Sequence, residues 1–161
     1  MKILLIDGNS VLFRAFYATS FSNIMKTSFG AYTNAVYAFA NMLNKALKMV
    51  EPDYCCVAFD KGKATFRHQM TSDYKAGRKE TPAELVEQFA LVRDMLNAYN
   101  IKYLEYDEIE ADDIIGILAH KFKGDISIFS SDHDLFQLID DNKHIKICCM
   151  KKGMSDIGVL D

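Results

Sequence analysis

The chain has 161 residues, half of them apolar and 25% charged, with a formal net charge of −3. That length predicts one compact domain with a real core, and the ordinary charge content excludes global disorder. No apolar run reaches the ~18 residues of a membrane span, and Met1 leads into a short apolar strand without the small-residue cleavage site of a secretory signal.

Residues 2–6 (KILLI) are a continuous apolar run, the mark of a buried parallel strand. DGNS follows, with Ser10 able to cap a helix over VLFRAFYA. Residues 20–32 are rich in Ser, Asn, Thr and Gly and read as a loop. From Asn34 to Val50 the apolar positions Ala35, Val36, Phe39, Ala40, Leu43, Leu47 and Val50 keep a helical period, and Pro52 stops it. Residues 54–59 (YCCVAF) are a second buried strand. Lys61 to Thr81 has no period and many bases, so it is a long exposed excursion. Thr81 and Pro82 then open a helix running to about Tyr99, with Thr81 as its cap. Strands over 102–106, 126–130 and 144–149 alternate with helices from Ala111 to Phe122 and from Leu135 to Ile139. Residues 150–161 read as a turn leading into something absent, so either the last helix is very short or the chain is part of a longer protein. The alternation predicts an α/β fold with a mostly parallel central sheet and helices on both faces.

The four cysteines form two adjacent pairs, Cys55–Cys56 and Cys148–Cys149, without the spacing of a zinc site. They read as small buried strand residues in a reducing compartment.

Acids collect where strands end. Asp7 follows the first strand and Asp60 the second; Glu110, Asp112 and Asp113 open a helix; Asp132 and Asp134 follow the fourth strand. In a parallel sheet these positions share one edge, the edge where ligand sites of open α/β folds collect. Seven carboxylates there would repel each other unless cations sat among them. Each acid also has a plainer reading. Asp7 and Asp60 suit turns, the Glu110–Asp113 group complements a helix dipole, and Asp134 could cap the following helix, a role that suits Asp132 less. Glu110 and Asp113 share a helix face and Asp112 points elsewhere. Taken together the acids predict a two-metal site of hard cations, in which magnesium explains the carboxylate donors, acting on phosphate. No GxxxxGK[ST] or GxGxxG nucleotide cradle accompanies them.

The net charge hides a segregation. Lys61 to Lys79 holds six Lys or Arg against one Asp, whereas Glu105 to Asp113 holds six acids and no base. The excursion leaves from Asp60 and would hang over the acidic edge, as a polyanionic substrate requires. Within it, Lys75 and Arg78 would share a face of a helix and reach one phosphate, and Tyr74 could stack on a base. Arg14 and Arg67 add phosphate contacts, or serve as surface ion-pair partners.

The segments LLIDGNSVLFRAFYA, AVYAFANML, VAFDKGKATFRHQMTSDYKAGRKETP, EIEADDIIGILA and FSSDHDLFQLI together resemble the 5′-3′ exonuclease domain of bacterial DNA polymerase I, in the flap endonuclease family with its PIN-like fold. The resemblance covers essentially the whole chain, residues 1–161, with the basic arch at about 61–81. It implies a structure-specific 5′ nuclease of bacterial cytoplasm and nucleoid, monomeric, standing alone or joined to a polymerase. Its partners would be DNA with 5′ flaps, nicks or gaps, and RNA primers, in replication and repair. It implies that Asp7, Asp60, Glu110, Asp112, Asp113, Asp132 and Asp134 bind two Mg²⁺ ions, replaceable by Mn²⁺. Lys75 and Arg78 would contact the scissile phosphate, and Arg67 and Tyr74 match arch positions. The family continues with a Gly-Asp-x-Ser-Asp-Asn segment and a helix-3-turn-helix module that this sequence does not include, which implies an incomplete second metal site and weak duplex binding. Three other functions compete. A PIN-like ribonuclease would not need the YKAGR arch. A nucleic-acid-binding fragment without activity would follow from the missing module. An aspartyl-phosphate enzyme is disfavoured because Asn9, not Asp, stands two residues after Asp7.

Overall fold

The computed structural model describes residues 1–21, 24–61, 81–151 and 157–160. Strands β1 (Lys2–Asp7), β2 (Tyr54–Ala58), β3 (Lys102–Leu104), β4 (Asp125–Phe129), β5 (Ile145–Met150) and β6 (Ile157–Leu160) form one sheet in the order β3-β2-β1-β4-β5-β6. The first five are parallel and β6 runs antiparallel to β5. The expected mostly parallel α/β architecture is present. Strand β6 corrects the reading of residues 150–161 as a turn leading into something absent, since a strand follows there: Ile157 pairs with Met150 and Leu160 with Ile147. A four-residue strand paired only along one edge leaves little periodicity to read.

Helices α1 (Gly8–Ala18), α2 (Asn34–Val50), α3 (Ala83–Ala98) and α4 (Ala111–Lys121) surround the sheet, with 3₁₀ turns at His133–Leu138 and Asp141–Lys143. The period-2 alternation of β1 divides the core. Leu4 and Ile6 face the layer of α1, α2 and α3, with Leu12, Phe39, Leu43 and Leu96 packed there. Ile3 and Leu5 face the layer of α4 and the first 3₁₀ turn, with Ile114, Ile115 and Leu135. No helix among the described residues is long and apolar enough to cross a membrane.

Two helix starts differ from expectation. Asp7, not Ser10, is the cap of α1, its carboxylate accepting the Ser10 N–H at 3.2 Å. Pro82, not Thr81, occupies the cap position of α3, with no side-chain cap bond. Nor does Thr33 cap α2 through its side chain. Gln88 supplies that cap from α3: its Oε1 accepts the N–H groups of Ala35 and Val36 at 2.8 and 3.1 Å. Its Nε2 donates to Asn34 Oδ1 and the Glu84 carbonyl. Gln88 is fully buried, and these bonds are what allow a polar group there.

Connections from β1 through β2 to β3 step one way across the sheet, and β4 then lies on the other side of β1. The order therefore reverses between β1 and β4, where helices cannot close over the carboxyl ends of the strands and a crevice forms.

Candidate metal centre

Asp7 ends β1 at this switch point and is 2% exposed. Gly8 turns the chain directly into α1, and only glycine fits there: a Cβ would stand 2.5 Å from the Phe59 ring and 2.9 Å from the Ala58 carbonyl oxygen. Asp132 follows β4 and caps the 3₁₀ turn, accepting the Asp134 N–H at 2.9 Å. This reverses the expected roles of the two residues, because the turn begins at His133 rather than Leu135. Asp112 lies in the first turn of α4.

One carboxylate oxygen from each of Asp7, Asp112 and Asp132 lies within 4.8 Å of the others. A magnesium ion holding two oxygens at ~2.1 Å keeps them at most about 4.2 Å apart, so the cluster is near coordinating separation. Asp112 therefore joins the cluster, in line with the expectation that it points elsewhere than Glu110 and Asp113. The electrostatics match the geometry. Burial raises the pKa of Asp7 to about 6, against the bonds from the Ser10 N–H and the Ser130 hydroxyl, with Asp60 and Asp132 adding repulsion. Burial likewise raises Asp112 to about 7, helped by the charges of Asp7, Asp132, Asp60 and Glu110. Protons held this close to neutrality mark a donor set that a divalent cation would satisfy in their place.

The other predicted acids lie around the triad. Asp60 and Glu110 are near enough to act on Asp112. Asp60 Oδ1 accepts the Ala111 N–H at 2.7 Å, so this residue holds the start of α4 from the neighbouring strand end. Glu110 and Asp113 form a capping box, with Asp113 Oδ2 accepting the Glu110 N–H at 3.2 Å. Asp113 and Asp134 line an adjoining groove of about 1030 Å³ with His120, His133 and Ile117. Arg14, half-buried on α1, donates to the Lys151 carbonyl at 3.2 Å. Lys61 meets Asp107 at 3.7 Å, the described end of the basic segment against the acidic one. Arg67, Tyr74, Lys75 and Arg78 lie outside the described residues. The cysteines are free, and burial pushes the Cys55 thiol up to about 12, which leaves it an inert strand residue.

Sequence reasoning gave no site role to three residues that organise the site, reading Ser10 only as a helix cap. Asn9 Oδ1 accepts the Asp60 N–H at 3.0 Å, joining the β1 and β2 ends. Ser10 Oγ accepts the Ser131 N–H at 2.9 Å, and Ser130 Oγ donates to Asp7 Oδ2 at 3.0 Å. Their one available signal was the small polar residues beside each acid, in DGNS and FSSD.

The family model described as 5′-3′ exonuclease, N-terminal resolvase-like domain, matches residues 2–159. The chain belongs to this 5′-3′ exonuclease family. It is 47% identical over 159 residues to DNA polymerase I of Geobacillus stearothermophilus, covering 97% of this chain and 18% of that protein. The chain thus spans about a fifth of the length of this relative. Among solved structures, a phage T5 protein co-crystallised with metal ions superposes with a TM-score of 0.69 at 20% identity, over 95% of this chain and 56% of that one. The bacteriophage T5 flap endonuclease in a complex with DNA and metal ions gives 0.65, with the same identity and coverage. These structures share the exonuclease-family fold with this chain.

Proposed function

We propose that this chain is the metal-binding core of a 5′ nuclease that hydrolyses phosphodiester bonds in DNA bearing 5′ flaps, nicks or gaps, and in RNA primers. The observation that carries the reading is the convergence of Asp7, Asp112 and Asp132 at the switch point of an exonuclease-family fold. In this reading the triad, with Asp60, Glu110, Asp113 and Asp134, holds two Mg²⁺ ions, and Mn²⁺ substitutes. Oxygen donors without soft ligands suit such hard cations. Bound ions would supply a hydroxide nucleophile and stabilise the departing 3′ oxygen. The protein's own part is to hold the acids in register. Asn9 ties Asp60 to the end of β1, Asp60 fixes the start of α4 and so Asp112, and the Ser10 N–H donates to the Asp7 carboxylate that caps α1.

Lys75 and Arg78 would neutralise the scissile phosphate, while Arg14, Arg67 and Tyr74 bind the substrate strand. The DNA and metal ions bound by the T5 flap endonuclease support DNA as the substrate class. The protein would act as a monomer in the bacterial cytoplasm and at the nucleoid, alone or joined to a polymerase; the name of its Geobacillus relative, DNA polymerase I, supports the joining.

The test is cleavage of 5′-labelled flap DNA with Mg²⁺ or Mn²⁺, comparing wild type, Asp112→Asn and Lys75→Ala in this chain and in the longest natural chain that contains it. Short 5′ products should appear only with metal, and each substitution should slow their release by about 100-fold or more. Undiminished cleavage by Asp112→Asn would remove the acids from the mechanism, and equal cutting of plain single strands would remove the flap specificity.

A further inference from the structure

Ser130 lies at the carboxyl end of β4 with no exposed surface. Its backbone N–H is fixed to the Cys148 carbonyl at 3.2 Å. Its hydroxyl does two things at once. It donates to Asp7 Oδ2 at 3.0 Å, and it accepts the backbone N–H of Asp132 at 2.9 Å. One buried hydroxyl therefore touches two of the three residues of the carboxylate triad, across the switch point and between strands far apart in the chain. The other Asp7 oxygen, Oδ1, accepts from the Ser10 N–H. With one bond on each oxygen, the plane of the Asp7 carboxylate is set, and a second lone pair on each oxygen stays available.

We propose that Ser130 is a positioning residue for the metal centre, fixing the Asp7 carboxylate and the chain direction at Asp132 so that both present oxygens to one divalent cation. The proposal rests on the metal-binding reading above. A hydroxyl serving only to join β4 to β1 would contribute to stability and leave cation affinity alone. A positioning hydroxyl acts on both, because outer hydrogen-bond partners orient the ligands that a metal meets.

Mn²⁺ titration of the full chain, followed by the electron paramagnetic resonance signal of free Mn²⁺, separates these roles. The variants are Ser130→Ala, Ser130→Cys, Gln88→Ala and Asp112→Ala, each with its Tm. Ser130→Ala should weaken Mn²⁺ binding by about 10- to 100-fold. Ser130→Cys fills the site with a slightly larger side chain and a weaker donor, so it carries the same expectation at about 10-fold should the alanine variant not fold. Gln88→Ala removes a buried network on the other face of the sheet and should lower Tm with the Mn²⁺ Kd unchanged. Ser130 variants that bind Mn²⁺ as tightly as wild type, or a Gln88→Ala variant weakened as much as they are, would overturn the positioning role while leaving the metal centre standing. Wild type that fails to bind Mn²⁺, or binding indifferent to Asp112→Ala, would overturn the metal reading itself and this proposal with it.

Discussion

Asp7 carries three tasks in one side chain: it caps α1, takes the Ser130 hydroxyl, and supplies a carboxylate to the triad. Its burial makes the metal-free fold sensitive to pH. In the folded protein Asp7 keeps its proton up to about pH 6, whereas unfolded it releases the proton near its ordinary value of 3.8. The group's contribution to stability is therefore full below about pH 4 and is lost as pH rises through 6. Asp112, raised to about 7, extends the loss toward neutrality. For Asp7 the shift corresponds to about 3 kcal/mol. Thermal melts in EDTA should show Tm falling between pH 4 and 7, and Asp7→Asn should flatten that fall while retaining an acceptor for the Ser10 N–H. A Tm that stays level across this range in wild type would contradict the assignment. The acids themselves were legible in the sequence because each stands just past an apolar run or at the start of a helix. Ser130 and Asn9 were not, because their partners, Asp7 and Asp60, come from other strands and no local pattern records the bond.

The helices show the same division between local and distant causes. The spacing of Ala35, Phe39, Leu43 and their neighbours gives α2 directly, and its observed span is the expected one, Asn34–Val50. Its start is another matter, since Gln88 satisfies Ala35 and Val36 from α3. Gln88→Ala should cost about 1–3 kcal/mol by leaving those buried N–H groups without their acceptor. Urea unfolding should move its midpoint with an unchanged m-value; a midpoint equal to wild type would mean that α2 finds its cap elsewhere. Helix α4 is likewise begun by a residue on another element, with Asp60 accepting the Ala111 N–H at 2.7 Å. Acids at 110–113 were read both as dipole partners and as metal ligands, and the geometry of the helix start shows how one segment serves both readings. Asp113 and Glu110 cap each other, while Asp112 turns into the triad.

At the scale of the molecule, the cluster of like charges destabilises the metal-free state and a bound cation stabilises the folded one by mass action. Mn²⁺ at 100 times its Kd should add about 2.7 kcal/mol to folding stability. Differential scanning calorimetry should record the rise in Tm, and Asp132→Ala should abolish it; an equal rise in that variant would assign the effect to ions bound elsewhere. The sheet order that creates the crevice was legible only as alternation of strands and helices. Nothing local states that β4 pairs with β1, since that pairing joins Lys2–Ile6 to Asp125–Phe129. The same pairing has a cost during synthesis. Strand β1 is an inner one, and after β2 docks on one side its other edge stays bare until β4 emerges, which begins at Asp125, 67 residues beyond the end of β2 at Ala58. A nascent chain of this protein therefore carries an apolar, unpaired ribbon from the synthesis of β2 to that of β4, and in that interval is the form most in need of a chaperone.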